Sequence, residues 1–305
     1  LIRETAYQNL RERQRREYHR IVARGIEQTF ASRLPENYHL LAYHFDQAQD
    51  REKAIHYLTL AGDRAYSQGA SIEALEFYNS ALKKMLTAAT CPDEEITAGA
   101  LLRKIGSLQR FLGNCTLAFE AFDRALALPA VKSDPRSTAT LHHEHALTHA
   151  YLSDYSAARK ALALAAPEAR KLKADSLLAR IQNIRFLCSW GEGNLRTARK
   201  QGLKAVIMAS EAGETGMEAD ARNNLALLEW KAGRLEEALE HFTCALQLWQ
   251  KLGNRFGMSA TRMNIGIAHE NLGRYDEARK YYLSALEMAE QIRYSWDTPR
   301  PRQVL

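Results

Sequence analysis

The chain predicts an all-α fold, an array of helical hairpins stacked at one fixed interval. Three observations carry this expectation. First, residues 221–246 (ARNNLALLEWKAGRLEEALEHFTCAL) recur forty residues later as 261–286 (TRMNIGIAHENLGRYDEARKYYLSAL). Leu225 then aligns with Ile265, Ala226 with Gly266, Gly233 with Gly273, Ala238 with Ala278, Phe242 with Tyr282 and Ala245 with Ala285. Second, the glycine in each copy separates two stretches with helical spacing of apolar residues, which reads as helix, tight turn, helix. Third, Ala, Leu, Glu, Arg and Lys dominate, and no proline occurs between Pro167 and Pro299. Such a composition favours helix throughout.

The N-terminal stretch differs from the rest. LIRETAYQNL reads as a short helix with Ile2, Ala6, Tyr7 and Leu10 able to face a core. Residues 11–30 form a second, with Tyr18, Ile21, Val22, Ile26 and Phe30 on one side. Arg11, Arg13, Arg15, Arg16, Arg20 and Arg24 crowd its start against Glu12 and Glu17. A basic helix can bind nucleic acid, but no set of stacking aromatics accompanies this one, so a solvated face is the expectation. From Glu36 the helical array begins, with helices at 38–48, 51–68 and 71–86. The triplets Ala54, Leu58, Ala61 and Ala74, Tyr78, Ala81 stand only twenty residues apart. The helix at 51–68 therefore closes one pair and opens the next, as in a degenerate unit at the end of an array.

Residues 87–96 form a connection. Pro92 followed by Asp93, Glu94 and Glu95 marks a helix start, with proline at its first position and carboxylates at the positive end of its dipole. Five copies follow in one register, at 99–138, 139–178, 179–218, 219–258 and 259–293. Gly113, Ser153 and Gly193 precede Gly233 and Gly273 at the inner turn, and Asp134-Pro135 starts a helix as Pro92 does. Gly213 and Gly253 suit helix ends that need a left-handed residue. Residues 294–305 lose the period, and Pro299 and Pro301 stop any helix, so a disordered tail is expected.

The small, small, aromatic, small pattern of the two clearest copies resembles the tetratricopeptide repeat, although forty residues exceeds its usual ~34. The resemblance implies a right-handed superhelical solenoid whose first helices line a concave groove. A second resemblance lies at the N-terminus. LIRETAYQNL, then RRExHRxVAxxIE, then HLLAYHFDQAQDREKAIHYLTLAGDRA are similar to the junction in bacterial signalling proteins where a STAND-type, AAA-related ATPase meets tetratricopeptide repeats. In those proteins a nucleotide cyclase or DNA-binding domain precedes the ATPase. The resemblance implies that residues 1–34 are a helical remnant of an upstream domain, with degenerate repeats at 36–90 and regular ones at 97–293. The absence of an initiator methionine agrees with a piece of a longer chain. No GxxxxGK[ST] phosphate loop and no GxSxG occur, so this segment is expected to carry no catalysis and to need no cofactor.

Counted from the first residue of each copy, positions 2, 5, 9 and 12 share one stripe, with 6 and 13 beside it. Position 5 gives Arg103, His143, Asn183, Asn223 and Met263; position 6 gives Lys104, Glu144, Ile184, Asn224 and Asn264. Position 12 gives Arg110, Ala150, Trp190, Trp230 and Glu270. Asn183, Asn223, Asn224 and Asn264 would thus cluster on the inner wall with Trp190 and Trp230, and Arg103 and Arg110 would extend it. An amide can pair with an extended peptide backbone whatever its side chains, and tryptophan adds apolar area with an N–H. Peptide receptors built from these repeats use asparagines in this way, which the resemblance carries to these positions. The competing expectation is that some amides bond between helices and the tryptophans fill core.

The one constellation with metal-like spacing is His142, His145 and His149, on one helix face. HExxH is not met, and positions 4, 7 and 11 pack against the second helix in other copies, so partly buried packing histidines are expected and no metal. Cys91, Cys115, Cys188 and Cys244 are scattered without CxxC spacing, which suits a reducing cytoplasm. Net charge is +6, modest for 305 residues. No run is apolar enough to span a bilayer. The expected partner is a protein or linear peptide segment in the groove, or the chain's own upstream domains, and neither a membrane nor nucleic acid. The expected role is the regulatory region of a larger signalling ATPase, with a free-standing adaptor as the alternative.

Overall fold

The structure, a computed structural model, describes residues 11–86 and 91–297, with side chains as far as residue 290. Every regular element among these residues is helical. The helix expected at LIRETAYQNL, the connection at 87–90 and the last eight residues lie outside the described residues. The chain divides into two compact units, residues 1–137 and 138–305.

In the first unit, α1 spans Glu12–Thr29, and a 3-10 turn at Ala31–Asn37 contains Pro35. Then come α2 (Tyr38–Gln47), α3 (Arg51–Ser67) and α4 (Ser71–Leu86). The Asp50 carboxylate caps α3 by accepting from the Lys53 N–H at 3.1 Å. Helix α3 packs against both α2 and α4, the double role its pattern implied. Arg51 donates to the carbonyls of Lys84 and Met85 at the end of α4, and to Glu94 at 2.6 Å. It thereby satisfies carbonyls that the helix leaves open.

The face of α1 differs from expectation. Tyr18, Ile21, Val22 and Phe30 are exposed and Ile26 is half-buried, while His19 and Ala23 are buried. Polar anchors set the rotation. His19 Nδ1 lies 2.8 Å from His44 Nδ1, and Glu27 accepts from Lys53 at 3.0 Å and from the Tyr57 hydroxyl at 2.6 Å. His19, Ala23 and Glu27 follow one another at four-residue steps, so they form one row facing the rest of the unit.

Helix α5 runs Pro92–Phe111, with proline in its first turn as expected. The second helix of this repeat is short, α6 at Cys115–Ala127, and a separate turn of helix, α7, covers Pro129–Ser133. Leu128, extended before Pro129, makes the break. Val131 of α7 fills the space beside Gly99, where a Cβ would lie 2.5 Å from its methyl.

The next helix, α8 (Pro135–Tyr151), leads into the second unit. Regular pairs follow: α9 (Tyr155–Lys171), α10 (Asp175–Gly191), α11 (Leu195–Glu211), α12 (Thr215–Lys231), α13 (Leu235–Leu252), α14 (Arg255–Asn271) and α15 (Tyr275–Asp297). Helix α15 runs on past Arg293 and includes residues 294–297, which were expected in the tail; the first proline beyond Arg293 is Pro299. Inner turns carry a left-handed residue at Ser153 (φ 61°), Gly193 (78°), Gly233 (77°) and Gly273 (72°). The next N–H reaches back five residues, as in Asn194 to the Ser189 carbonyl and Arg234 to Glu229, each 2.9 Å.

The core of this unit is a ribbon. Ala139, Ala146, Leu162, Ile181 and Ile184 form one cluster. Phe186, Ala205, Val206, Leu225 and Leu228 form the next, and Ala226, Phe242, Leu246 and Ile265 a third. Each cluster joins one repeat to its neighbour, which is how a stacked array buries apolar surface.

Candidate functional site

Four first helices, α8, α10, α12 and α14, hold the candidate residues of the second unit. Asn183 on α10 is buried, and its Oδ1 accepts no hydrogen bond. Asn223 and Asn264 are brought together: the Asn264 amide donates to Asn223 Oδ1 at 3.1 Å, joining α14 to α12. Asn224 is half-buried. Trp190 and Trp230 are both half-buried and packed at the edges of successive core clusters, Trp190 against Phe186 with ring centroids 5.7 Å apart. The six residues therefore do not form one exposed patch. One amide pair is an inter-helix bond, one amide is buried, and the indoles are half core and half surface.

Arg103 and Arg110 lie on α5 of the first unit, both half-buried. Beside them Lys104 pairs with Asp63, and its ammonium stands 5.4 Å from the centre of the Tyr78 ring. Burial and the Asp63 hydrogen bond push the Tyr78 hydroxyl pKa up. This is an anchored, partly desolvated corner.

Charged residues also tie the repeats of the second unit together. Arg159 on α9 grips Glu192 through two bonds of 2.6 and 3.1 Å, and contacts Ser189. Arg199, forty residues later on α11, binds buried Glu229 on α12 at 2.7 Å, and Arg234 holds the other carboxylate oxygen. A buried carboxylate is tolerated when both oxygens are paired, as here. Asp220, at position 2 of the stripe, is exposed, yet crowding by the surrounding protein pushes its carboxyl up to about 6, against the pull of Arg180.

One opening in this unit lies at the C-terminal ends of three successive first helices. It is a cavity of about 470 Å³ walled by Leu147, Tyr151, Tyr155, Leu187 and Trp190, with Lys231 at its rim. The Lys231 ammonium stands 5.8 Å from the centre of the Trp190 ring. Of these residues the sequence singled out Trp190 alone. The others occupy positions 9 and 13 of the same stripe, or open the second helix, so the signal was positional. It lacked the amide chemistry that drew attention to the asparagines.

His142, His145 and His149 are each half-buried on α8, with the rings of the last two 6.5 Å apart. Burial lowers the pKa of His142. Among the described residues no group of three His, Cys, Asp or Glu side chains is placed to hold a metal ion. Cys115 and Cys188 are buried thiols, and all four cysteines are unbridged. No described helix is long and apolar enough to cross a membrane.

The sequence model of the tetratricopeptide repeat matches residues 217–291. No curated protein matches the chain. Several solved structures share its fold. The apo form of RapI superposes with a TM-score of 0.67 at 12% identity, over 92% of this chain and 99% of that one. A Rap protein complexed with competence and sporulation factor gives 0.62 at 13%, over 84% and 81%. A STAND protein (Signal Transduction ATPase with Numerous Domains) with a tetratricopeptide repeat sensor, from Pyrococcus horikoshii, gives 0.62 at 15%, over 92% of this chain and 41% of that one. Residues 217–291 match the tetratricopeptide repeat, and the chain shares its fold of stacked helical hairpins with these structures. Its fold is similar to part of the STAND protein that carries a tetratricopeptide repeat sensor.

Proposed function

We propose that the second unit recognises a linear peptide or protein segment along its first helices. In this reading it is the sensory region of a larger signalling ATPase, a cyclase or a transcription regulator. One observation carries the recognition: an open cavity of about 470 Å³, aromatic-walled, crosses three consecutive first helices and has a cation at its rim. Such a lining suits an apolar ligand group oriented by few polar contacts. Asn183 adds a buried amide oxygen without a partner, and Asn224 a half-buried amide on the neighbouring helix. The link to an ATPase is supported by the N-terminal junction words and by the likeness to a STAND protein with a repeat sensor. Binding would then shift an equilibrium between inhibited and active arrangements of the whole protein.

A pull-down from the source lysate, comparing the parent with a Trp190→Ala/Trp230→Ala variant, tests the recognition. Asn224→Ala serves as a milder second variant. The expected result is loss of a specific partner with helicity retained; capture that is indifferent to all three substitutions contradicts the reading. The full gene tests the context: a phosphate loop upstream of Leu1 supports it, and an initiator methionine directly before Leu1 would favour a free-standing adaptor. Nucleic-acid binding by α1 is disfavoured, because Arg16 pairs with Glu12 and Arg20 with Glu17 along the same helix.

A further inference from the structure

The cavity of the second unit coincides with two interruptions in the repeat. At position 12 the copies carry Arg110, Ala150, Trp190, Trp230 and Glu270. At position 13 they carry Phe111, Tyr151, Gly191, Lys231 and Asn271. Ala150 and Gly191 are the smallest residues of their two series, and both line the cavity. The hollow therefore stands where two side chains are missing from otherwise bulky columns.

Gly191 has a further consequence. A Cβ at this position would overlap the Tyr155 ring, so the ring lies against bare backbone at the end of α10. Tyr155 is held aside as a wall and leaves the hollow open. Water in a space with this lining finds few hydrogen-bond partners, and an apolar group displaces it favourably.

The rim has one unmatched charge. Lys231 is exposed and forms no ion pair among the described residues. Nearby carboxylates are engaged elsewhere, Glu192 by Arg159 and Glu229 by Arg199 and Arg234. A carboxylate brought by a partner would meet an uncontested ammonium. A single ammonium offers one point contact, which suits an acidic side chain better than a terminal carboxylate needing several donors.

We infer that this cavity is an anchor pocket for one bulky apolar side chain of a linear peptide, with an acidic side chain a residue or two away held at Lys231. The inference rests on the peptide-binding reading above and specifies its ligand. It is tested by selecting a phage-displayed random peptide library against the whole chain, with capped synthetic copies of the enriched peptides measured by fluorescence polarisation. The expected outcome is enrichment of an aromatic or large aliphatic residue beside Asp or Glu. Ala150→Trp, which restores the side chain found forty residues later, should weaken those peptides about tenfold or more, as filling an anchor site does. Gly191→Ala, whose Cβ would overlap the Tyr155 ring and displace this wall of the hollow, should do the same and covers the case in which Ala150→Trp does not fold. Lys231→Glu should turn the preference from acidic to basic neighbours. Peptides that lack the motif and bind both filled variants as tightly as the parent would overturn the pocket while leaving groove recognition standing. Failure to enrich any peptide would overturn both.

Discussion

At position 202 a glycine stands where the neighbouring copies place Leu162, Phe242 and Tyr282. Its counterpart across the hairpin, position 186, is phenylalanine where they have Ala146, Ala226 and Gly266. The structure packs the Phe186 ring into the space over Gly202, where a Cβ would lie 3.0 Å from it. At Gly266 the same contact is made in the opposite sense, with the Tyr282 ring 2.5 Å from the position of a Cβ. The hairpin at 179–218 thus exchanges knob and hole. Gly202→Phe alone should destabilise by about 1–3 kcal/mol through overpacking, and Phe186→Ala alone by about 3–5 kcal/mol. The double variant should recover more than ~1 kcal/mol of their sum, measured by urea unfolding; simple additivity would refute the exchange. This swap accounts for the glycine that the 179–218 copy carries in the column of large residues. The sequence column shows a lost aromatic, and only the facing column shows where it went. A second residue-scale expectation concerns Asp220. Its carboxyl is raised to about 6 in the folded chain, so the native state holds this proton more tightly than the unfolded one. Its contribution should therefore favour folding below pH 4 and fade as pH rises from about 4 to 6. Asp220→Asn should remove that part of the slope in melting temperature, and an unchanged slope would show that Asp220 titrates normally.

Among the elements, the turns were the most legible. Gly213 and Gly253 announced left-handed helix ends, and each adopts one, as do Gly193, Gly233 and Gly273 at the tight turns. Ser153 and Lys173 stand at equivalent corners with φ of 61° and 49°, where a side chain is strained. Ser153→Gly and Lys173→Gly should each stabilise by about 0.5–1 kcal/mol, net of glycine's entropy in the unfolded chain. Calorimetry should show a rise of about one to four degrees per substitution, and a fall would mean these corners are relaxed. Helix α1 was less legible. Its apolar residues Tyr18, Ile21 and Val22 suggested one buried face, yet the helix turns a row of His19, Ala23 and Glu27 inward. Hydrophobic periodicity cannot anticipate a face fixed by an imidazole pair and a carboxylate bonded to Lys53 and Tyr57. The break at Leu128–Pro129, by contrast, carried a written signal in its proline.

Across the whole molecule, the forty-residue interval made the helix pairs readable from residue 97 onward, because each repeat buries the same columns against its neighbour. The candidate site was only partly readable. Position in the repeat gave a stripe of candidates, but the same stripe can hold a half-buried amide, a buried one or an inter-helix bond. Asn224, Asn183 and the Asn223–Asn264 pair are those three cases. The cavity arises from what Ala150 and Gly191 lack, and an absence in two columns is hard to see in one sequence. The central claim is that recognition takes place on the first helices of the second unit. Hydrogen–deuterium exchange of the chain with and without a selected peptide tests it most directly. The account predicts new protection at the C-terminal ends of α8, α10 and α12, with α11 and α13 unchanged; protection confined to α11 and α13 would contradict it.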